Sequence, residues 1–206
     1  MNHENVASEI VTVEPPAESQ RRLPGDLAMW FFIFIELAVF GLLLISLAVA
    51  RSNEPEVFAA GARTLTTGMG LANTVALLTG SYCAVRAVTA IKAGAAHLCA
   101  RWLLAAAGTG LVYLIVKVSE YVHLFMDGYT LRSSTFYFFY FFTTFFHLMH
   151  VVLGMTVLIV VASRCRRGFY SEDAPRAMGA VESGASYWHM VDLVWLVLFT
   201  IIYILA

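Results

Sequence analysis

Five stretches of this sequence are apolar over roughly 20 or more residues, the length at which an α-helix crosses the hydrocarbon core of a bilayer. Hydrophobic residues occupy 60% of the 206 positions and charged residues 13%. Soluble domains are about 45–50% apolar and about 25% charged, so both values favour a membrane protein. We predict an all-α fold, a polytopic bundle of five transmembrane helices. The predicted spans are 26–50, 67–91, 102–126, 135–162 and 186–206.

The chain divides into a polar tail over residues 1–24 and a five-helix transmembrane domain over residues 25–206. The tail carries four glutamates and the pair Pro15-Pro16, a composition typical of disorder. A cleavable signal peptide begins with basic residues followed by an early apolar core, and the tail has neither. No basic stripe with interleaved aromatic residues occurs, so we expect no nucleic-acid partner.

The basic residues predict the orientation of the spans, because cytoplasmic loops of membrane proteins are enriched in Arg and Lys. With the N-terminus in the cytoplasm, nine basic residues lie inside and three lie outside. The three outside are Arg51, Arg63 and Arg132. We therefore predict a cytoplasmic N-terminus, a periplasmic C-terminus and a multi-pass location in a bacterial inner membrane. The three cysteines, none in a C-x-x-C pair, are expected to be reduced.

Ionisable residues inside spans are the candidate functional residues, because a charge in mid-bilayer costs about 2.5–3.5 kcal/mol even on the lenient insertion scale. Tyr121 is added to this group because it follows Glu120 directly. The candidates for lipid, proton or packing roles are Glu36, Lys117, Glu120, Tyr121, His147, His150, His189 and Asp192. We predict no catalytic residue and no metal or cofactor ligand among them.

Glu36 lies near the middle of the first span, where an unpaired carboxyl is expected to be buried and neutral. His147 and His150 are three residues apart in the fourth span, so they share one helix face at a similar depth. We predict that Glu36 reaches the fourth span near His147, where the carboxyl donates a hydrogen bond to a neutral imidazole.

Two further groups of polar residues lie on single helices. Lys117, Glu120 and Tyr121 crowd the outer half of the third span, and their spacing predicts a local ion pair. His189 and Asp192 are three residues apart near the inner end of the last span, which predicts a direct hydrogen bond between them.

These residues leave two other functions open. Glu36, Lys117 and Glu120 are compatible with a small proton or ion transporter, although no inverted repeat or broken helix pair is visible. His147 and His150 are compatible with a haem-binding membrane cytochrome, although a second ligand pair on another helix is missing.

Four motifs in this sequence resemble those of the subunit III family of the haem-copper oxidase superfamily, in the same order. They are residues 23–37 (LPGDLAMWFFIFIEL), Glu120-Tyr121, residues 145–154 (FFHLMHVVLG) and residues 187–195 (YWHMVDLVW). The resemblance covers about residues 23–206. Within the family, the short chain and the Leu-Pro-Gly-Asp opening are most similar to the five-helix E-type protein associated with nitric oxide reductase. Five-helix subunits III of cytochrome c or quinol oxidases are the alternative branches.

The resemblance implies a non-catalytic subunit that carries no redox centre. It implies a catalytic haem-copper subunit as partner, which would hold the haem and the copper or iron, and it implies contacts with membrane lipids. The sequence agrees, because a catalytic subunit needs a full set of histidine ligands inside its spans. Of the six histidines here, one lies in the tail and two at membrane ends: His3, His97 and His123. Stabilisation or assembly of the partner, and access for lipid, gas or protons, are the implied roles.

Overall fold

A computed structural model describes residues 27–168 and 174–205, and every regular element in these residues is a helix. The elements are α1 (Leu27–Asn53), α2 (Pro55–Ala62), α3 (Thr67–Lys92), α4 (Ala96–Met126), α5 (Thr135–Arg166), α6 (Ala174–Phe199) and a π-helical turn (Thr200–Ile204) that continues α6. Five of these helices are long and apolar enough to cross a membrane. The predicted all-α fold with five spans is therefore confirmed. The predicted tail (1–24) and the span ends Asp26 and Ala206 lie outside the described residues.

Helices α3, α4, α5 and α6 form a four-helix bundle in which each helix packs against the next and α6 packs back against α3. Glycines at the interfaces bring these helices close together. A Cβ atom added to Gly110 of α4 would lie 2.7 Å from Cγ of Met155 on α5 and 2.8 Å from the Trp188 ring on α6. Small residues are the usual means by which membrane helices approach closely. Gly70, Gly80 and Ala84 of α3 are buried at these interfaces as well.

Helix α1 lies at the edge of this bundle, against α5 and α6. Its buried residues are Ile33, Phe40 and Leu47, one for every seven positions. Such spacing marks a single narrow stripe along the helix. The rest of α1 is exposed or half-buried, so α1 offers the bundle only one face and leaves a wide apolar surface open.

Tight turns join α3 to α4 and α4 to α5, and each contains a glycine with a positive φ. Gly94 has φ +74° and Gly128 has φ +85°. Residues with a Cβ rarely adopt this conformation, which is why glycine follows the ends of these helices. The turns keep α3, α4 and α5 antiparallel to their neighbours.

Several predicted boundaries are wrong. The last helix begins at Ala174 rather than at residue 186, because its first turns carry Arg176 and Glu182, charged residues that are typical of a loop between membrane spans. Pro175 is tolerated there, since the first turn of a helix needs no backbone donor. The third and fourth spans are also longer than predicted, and α2 was not predicted at all. Cys83, Cys99 and Cys165 are buried and unpaired, as expected for reduced thiols.

Candidate functional site

The Glu36 carboxyl of α1 binds the imidazole of His150 on α5. Oε2 of Glu36 lies 2.9 Å from Nε2 of His150, and the two side chains are 17% and 10% exposed. The Phe40 ring of α1 packs against the His150 ring at 4.9 Å between centroids. The prediction that Glu36 reaches α5 is confirmed, but the prediction of His147 as the neighbour is wrong. His147 is three residues earlier, and its ring lies inside the four-helix bundle, where it meets the edge of the Phe40 ring of α1 at 6.2 Å between centroids but does not contact Glu36.

The contacts of His150 limit where its protons lie. Its Nδ1 lies 2.8 Å from the carbonyl oxygen of Phe146. A carbonyl oxygen only accepts hydrogen bonds, so Nδ1 carries a proton and donates it. The Nε2···Oε2 contact then contains one further proton, on the Glu36 carboxyl or on the His150 imidazole. In both arrangements the pair is neutral as a whole.

His147 lies in an aromatic cage inside the four-helix bundle. Its side chain is fully buried, and its ring is 5.6 Å from Tyr113 and 5.4 Å from Trp195, measured between centroids. Neither of its ring nitrogens has a hydrogen-bond partner among the described residues. Trp195 is fixed by a bond from its Nε1 to Thr74 Oγ1 of α3, 3.0 Å long. The cage thus connects α3, α4, α5 and α6.

The predicted ion pair on α4 is present, and it forms the centre of a larger buried cluster, which we name the Lys117 cluster. Lys117 Nζ donates to Glu120 Oε2 at 2.9 Å, to Tyr140 Oη of α5 at 3.0 Å and to Tyr203 Oη at 2.8 Å. All three ammonium protons are therefore used. Tyr203 also lies 2.8–2.9 Å from both carboxylate oxygens of Glu120. The Lys117 and Glu120 side chains are 0% and 4% exposed, so water screens neither charge.

Aromatic rings complete the shell of the Lys117 cluster. Lys117 Nζ lies 4.6 Å from the Tyr140 ring centroid and 5.3 Å from that of Trp195. Cations at such distances are attracted by the electron-rich face of an aromatic ring. Tyr121 contributes its ring at 5.5 Å, and its hydroxyl bonds Thr144 of α5 at 2.8 Å. The cluster therefore binds α4, α5 and the π-helical turn to one another.

His189 and Asp192 belong to a second cluster, at the α3–α6 interface. Ser81 Oγ of α3 lies 2.8 Å from His189 Nδ1 and donates to Asp192 Oδ2 at 2.7 Å. The predicted direct hydrogen bond is wrong, because the serine hydroxyl lies between the two side chains. The residues also lie in the middle of α6 rather than near its inner end, since α6 begins twelve residues earlier than predicted. We name Ser81, His189 and Asp192 the Ser81 cluster.

Sequence reasoning missed the residues that other helices contribute to these clusters. Tyr140 lies within an aromatic run, and Tyr203 lies in the last turn of the chain, so neither stood out among the neighbouring Phe and Ile residues. Ser81 was one of several small residues in α3. Their hydroxyl groups, which lie in otherwise apolar spans, could have identified them, since buried hydroxyls need hydrogen-bond partners.

A groove of about 650 Å³ opens between α1, α5 and α6. Phe32 of α1, Val157 of α5 and the α6 residues Gly179, Gly184 and Arg176 line it. Among residues 27–168 and 174–205, no three His, Cys, Asp or Glu side chains are grouped as metal ligands. The described polar clusters thus join helices to one another, and the large groove is mainly apolar.

Known sequences similar to this chain belong to one family, and the similarity extends over the described residues. The family model "Cytochrome c oxidase subunit III" matches residues 27–206. Cytochrome c oxidase subunit 3 of Synechocystis sp. is 31% identical over 185 residues, which cover 87% of this chain and 76% of that protein. The Thermostichus vulcanus protein of the same name is 33% identical over 65% of this chain and 64% of its own length. A probable quinol oxidase subunit 3 of Staphylococcus saprophyticus is 24% identical over 88% of this chain and 89% of that protein.

Proposed function

Because the chain belongs to the cytochrome c oxidase subunit III family, we propose that it is a non-catalytic membrane subunit of a respiratory haem-copper oxidase complex. The observation that carries this proposal is the family match over residues 27–206, which includes all five membrane-spanning helices. Its partner is a catalytic haem-copper subunit, which holds the haem and the copper or iron. The chain itself carries no cofactor and supports the stability and assembly of that partner.

The polar clusters support a structural role rather than a catalytic one. In the Lys117 cluster every ammonium proton is donated to a side chain of this chain, and Tyr203 bonds both oxygens of Glu120. A residue that binds substrate needs a free donor or acceptor facing an open space. The cluster instead fastens three helical elements, as expected of a rigid platform for a larger partner.

The apolar groove supports a role in holding membrane lipid. Its apolar walls, which include Phe32 and Val157, match the acyl chains of a lipid. The excess of basic residues on one side of the predicted spans favours a cytoplasmic N-terminus in a bacterial inner membrane. Reporter fusions at Pro55 and Ser171 test this orientation, and a periplasmic signal at Ser171 would reverse it.

Purification of the chain alone tests the proposal against its two rivals. We expect no haem absorbance, no oxygen or nitric oxide reduction, and no dissipation of a pH gradient after reconstitution into vesicles. A Soret band lost in His147→Leu or His150→Leu would support the membrane cytochrome. Proton flux through the unmodified chain in vesicles would support the transporter. Both nitrogens of His150 are already engaged by Glu36 and Phe146, which disfavours haem ligation there.

Association with a nitric oxide reductase is the second candidate, favoured by the resemblance of Leu23-Pro24-Gly25-Asp26 to the E-type protein. The complex purified from the native membrane would then reduce nitric oxide and contain non-haem iron. An oxygen-reducing complex that contains copper would exclude this branch and retain the haem-copper oxidase.

A further inference from the structure

The Glu36–His150 pair lies at the middle of the membrane and at the surface of the fold. Glu36 is the tenth residue of α1, about 14 Å from its start at about 1.5 Å per residue. His150 is the sixteenth of the 32 residues of α5. Yet the Glu36 side chain is 17% exposed. Hydrocarbon cannot solvate a partly exposed carboxyl, so this position needs a polar neighbour.

One oxygen of the pair has a free acceptor position. Glu36 Oε2 binds His150, whereas no described residue donates a hydrogen bond to Oε1. Oε1 is also not among the enclosed polar atoms that lack a hydrogen-bond partner, so an atom without a donor at this position is open to its surroundings. Whether the shared proton lies on Oε2 or on the imidazole, Oε1 has no proton and accepts hydrogen bonds. The buried hydroxyl of Tyr187 on α6 lacks a partner but makes no hydrogen bond to Oε1, so this acceptor position is open to a donor from outside this chain.

The depth of the pair limits the nature of that donor. Half of the hydrocarbon core is about 15 Å thick, so a lipid headgroup remains about that far from the midplane and only acyl chains reach Glu36. A second transmembrane helix can present a donor at this depth. Next to His150, α5 has a shallow depression of about 370 Å³, lined in part by Met149, Leu153 and Thr156.

We propose that a transmembrane helix of the catalytic subunit docks on this surface of α1 and α5 and donates a hydrogen bond to Glu36 Oε1. The inference rests on the proposed function. It adds where the catalytic subunit contacts this chain and which hydrogen bond forms there. A hydroxyl, amide, indole or imidazole donor fits, because each supplies a proton without bringing a net charge into the membrane.

Photo-crosslinking in the native membrane tests the docking surface. A photoreactive amino acid replaces Leu153 in the depression beside His150. In the matched control it replaces Ile115, which lines a depression of about 400 Å³ between α3 and α4. We expect the Leu153 probe to crosslink the catalytic subunit at least tenfold more than the Ile115 probe. A stronger crosslink from Ile115, or a Leu153 crosslink only to lipid or to a second copy, overturns the inference.

A second measurement tests the hydrogen bond. Glu36→Gln keeps an acceptor oxygen at the surface, whereas Glu36→Leu removes it while leaving an apolar side chain. Loss of one hydrogen bond of about 1 kcal/mol corresponds to roughly fivefold faster dissociation of the complex in mild detergent. We expect this change for Glu36→Leu and less than twofold for Glu36→Gln. Equal rates for both variants overturn the inference. If the catalytic subunit does not co-purify even with the unmodified chain, the proposed function itself fails.

Discussion

Glu36 and His150 share a single proton between Oε2 and Nε2, 2.9 Å apart, because the other nitrogen of His150 donates to the Phe146 carbonyl. The pair joins α1 to α5 at mid-membrane, where α1 otherwise contributes only a narrow apolar stripe. A neutral acid with a neutral imidazole and a carboxylate with an imidazolium contain the same atoms. They differ in charge separation, which the low dielectric of the membrane disfavours.

We predict the neutral arrangement. Infrared difference spectra between the unmodified chain and Glu36→Gln should lose the carbonyl stretch of a protonated carboxylic acid at neutral pH. Glu182 provides the comparison, because its carboxylate pairs with Lys92 Nζ at 2.9 Å and should give only a carboxylate stretch. A carboxylate band assigned to Glu36 would contradict the prediction and indicate an ion pair with His150.

Breaking the Lys117–Glu120 pair should strongly destabilise the bundle. Removal of one partner leaves the other charge buried and unpaired, which costs about 3–5 kcal/mol. We expect such a loss in the free energy of unfolding for Lys117→Met and for Glu120→Gln, measured in mixed micelles. The double variant removes both charges and should recover most of the loss. Additive losses in the double variant would contradict the buried ion pair.

The pair of Lys92 and Glu182, in which the lysine is exposed and the glutamate is 14% exposed, serves as the control for this measurement. The Lys92 side chain is 54% exposed, so water screens its charge. Lys92→Met should therefore change the free energy of unfolding by less than about 1 kcal/mol. A comparable loss at Lys92 would mean that the measurement does not distinguish buried from exposed charges.

The Tyr203 hydroxyl should matter more than that of Tyr121. Tyr203 accepts from Lys117 and lies within hydrogen-bond distance of both oxygens of Glu120, whereas Tyr121 bonds only the hydroxyl of Thr144. We expect Tyr203→Phe to lower the stability by about 2–3 kcal/mol, as for a bond to charged groups, and Tyr121→Phe by about 1 kcal/mol. Increased proteolysis at the C-terminus of Tyr203→Phe would accompany the loss. Equal effects would show that the π-helical turn is not held by this hydroxyl.

Two glycines of α4 provide a matched test of helix packing. The added Cβ of Gly110→Ala would meet Met155 and Trp188 at 2.7–2.8 Å, whereas that of Gly108→Ala meets no atom within 4 Å. We expect Gly110→Ala to destabilise by about 1–3 kcal/mol through overpacking. Gly108→Ala should be neutral or stabilising by up to about 1 kcal/mol, since alanine favours a helix over glycine. Thermal unfolding in detergent measures both.

Hydropathy and charge were sufficient to predict the five spans, because crossing a bilayer requires long apolar helices whatever their tertiary contacts. The failures occur where helices extend beyond the hydrocarbon. The first turns of α6 carry Arg176 and Glu182, and the apolar run that predicts the span begins only after them. Helix α2 is only eight residues long and lies outside any span.

The candidate site was predicted one helix at a time. The Lys117–Glu120 pair was found because its spacing of three residues is local, and helix geometry determines which residues meet. The contributions of Tyr140, Tyr203 and Ser81 depend on how the helices pack against one another. Likewise, helix rotation decides whether His147 or His150 faces α1, and a spacing of three residues leaves both possible.

Purification of the tagged chain from its native membrane in mild detergent, followed by haem, metal and subunit analysis, tests the assignment to an oxidase complex directly. We predict an approximately stoichiometric second polypeptide with many membrane spans, which carries all the haem and the copper or iron of the preparation. Dissociation of the complex should leave the metal-bearing fraction free of this chain. A chain that is recovered alone, or that retains haem after separation from every other polypeptide, would contradict its role as a non-catalytic subunit III.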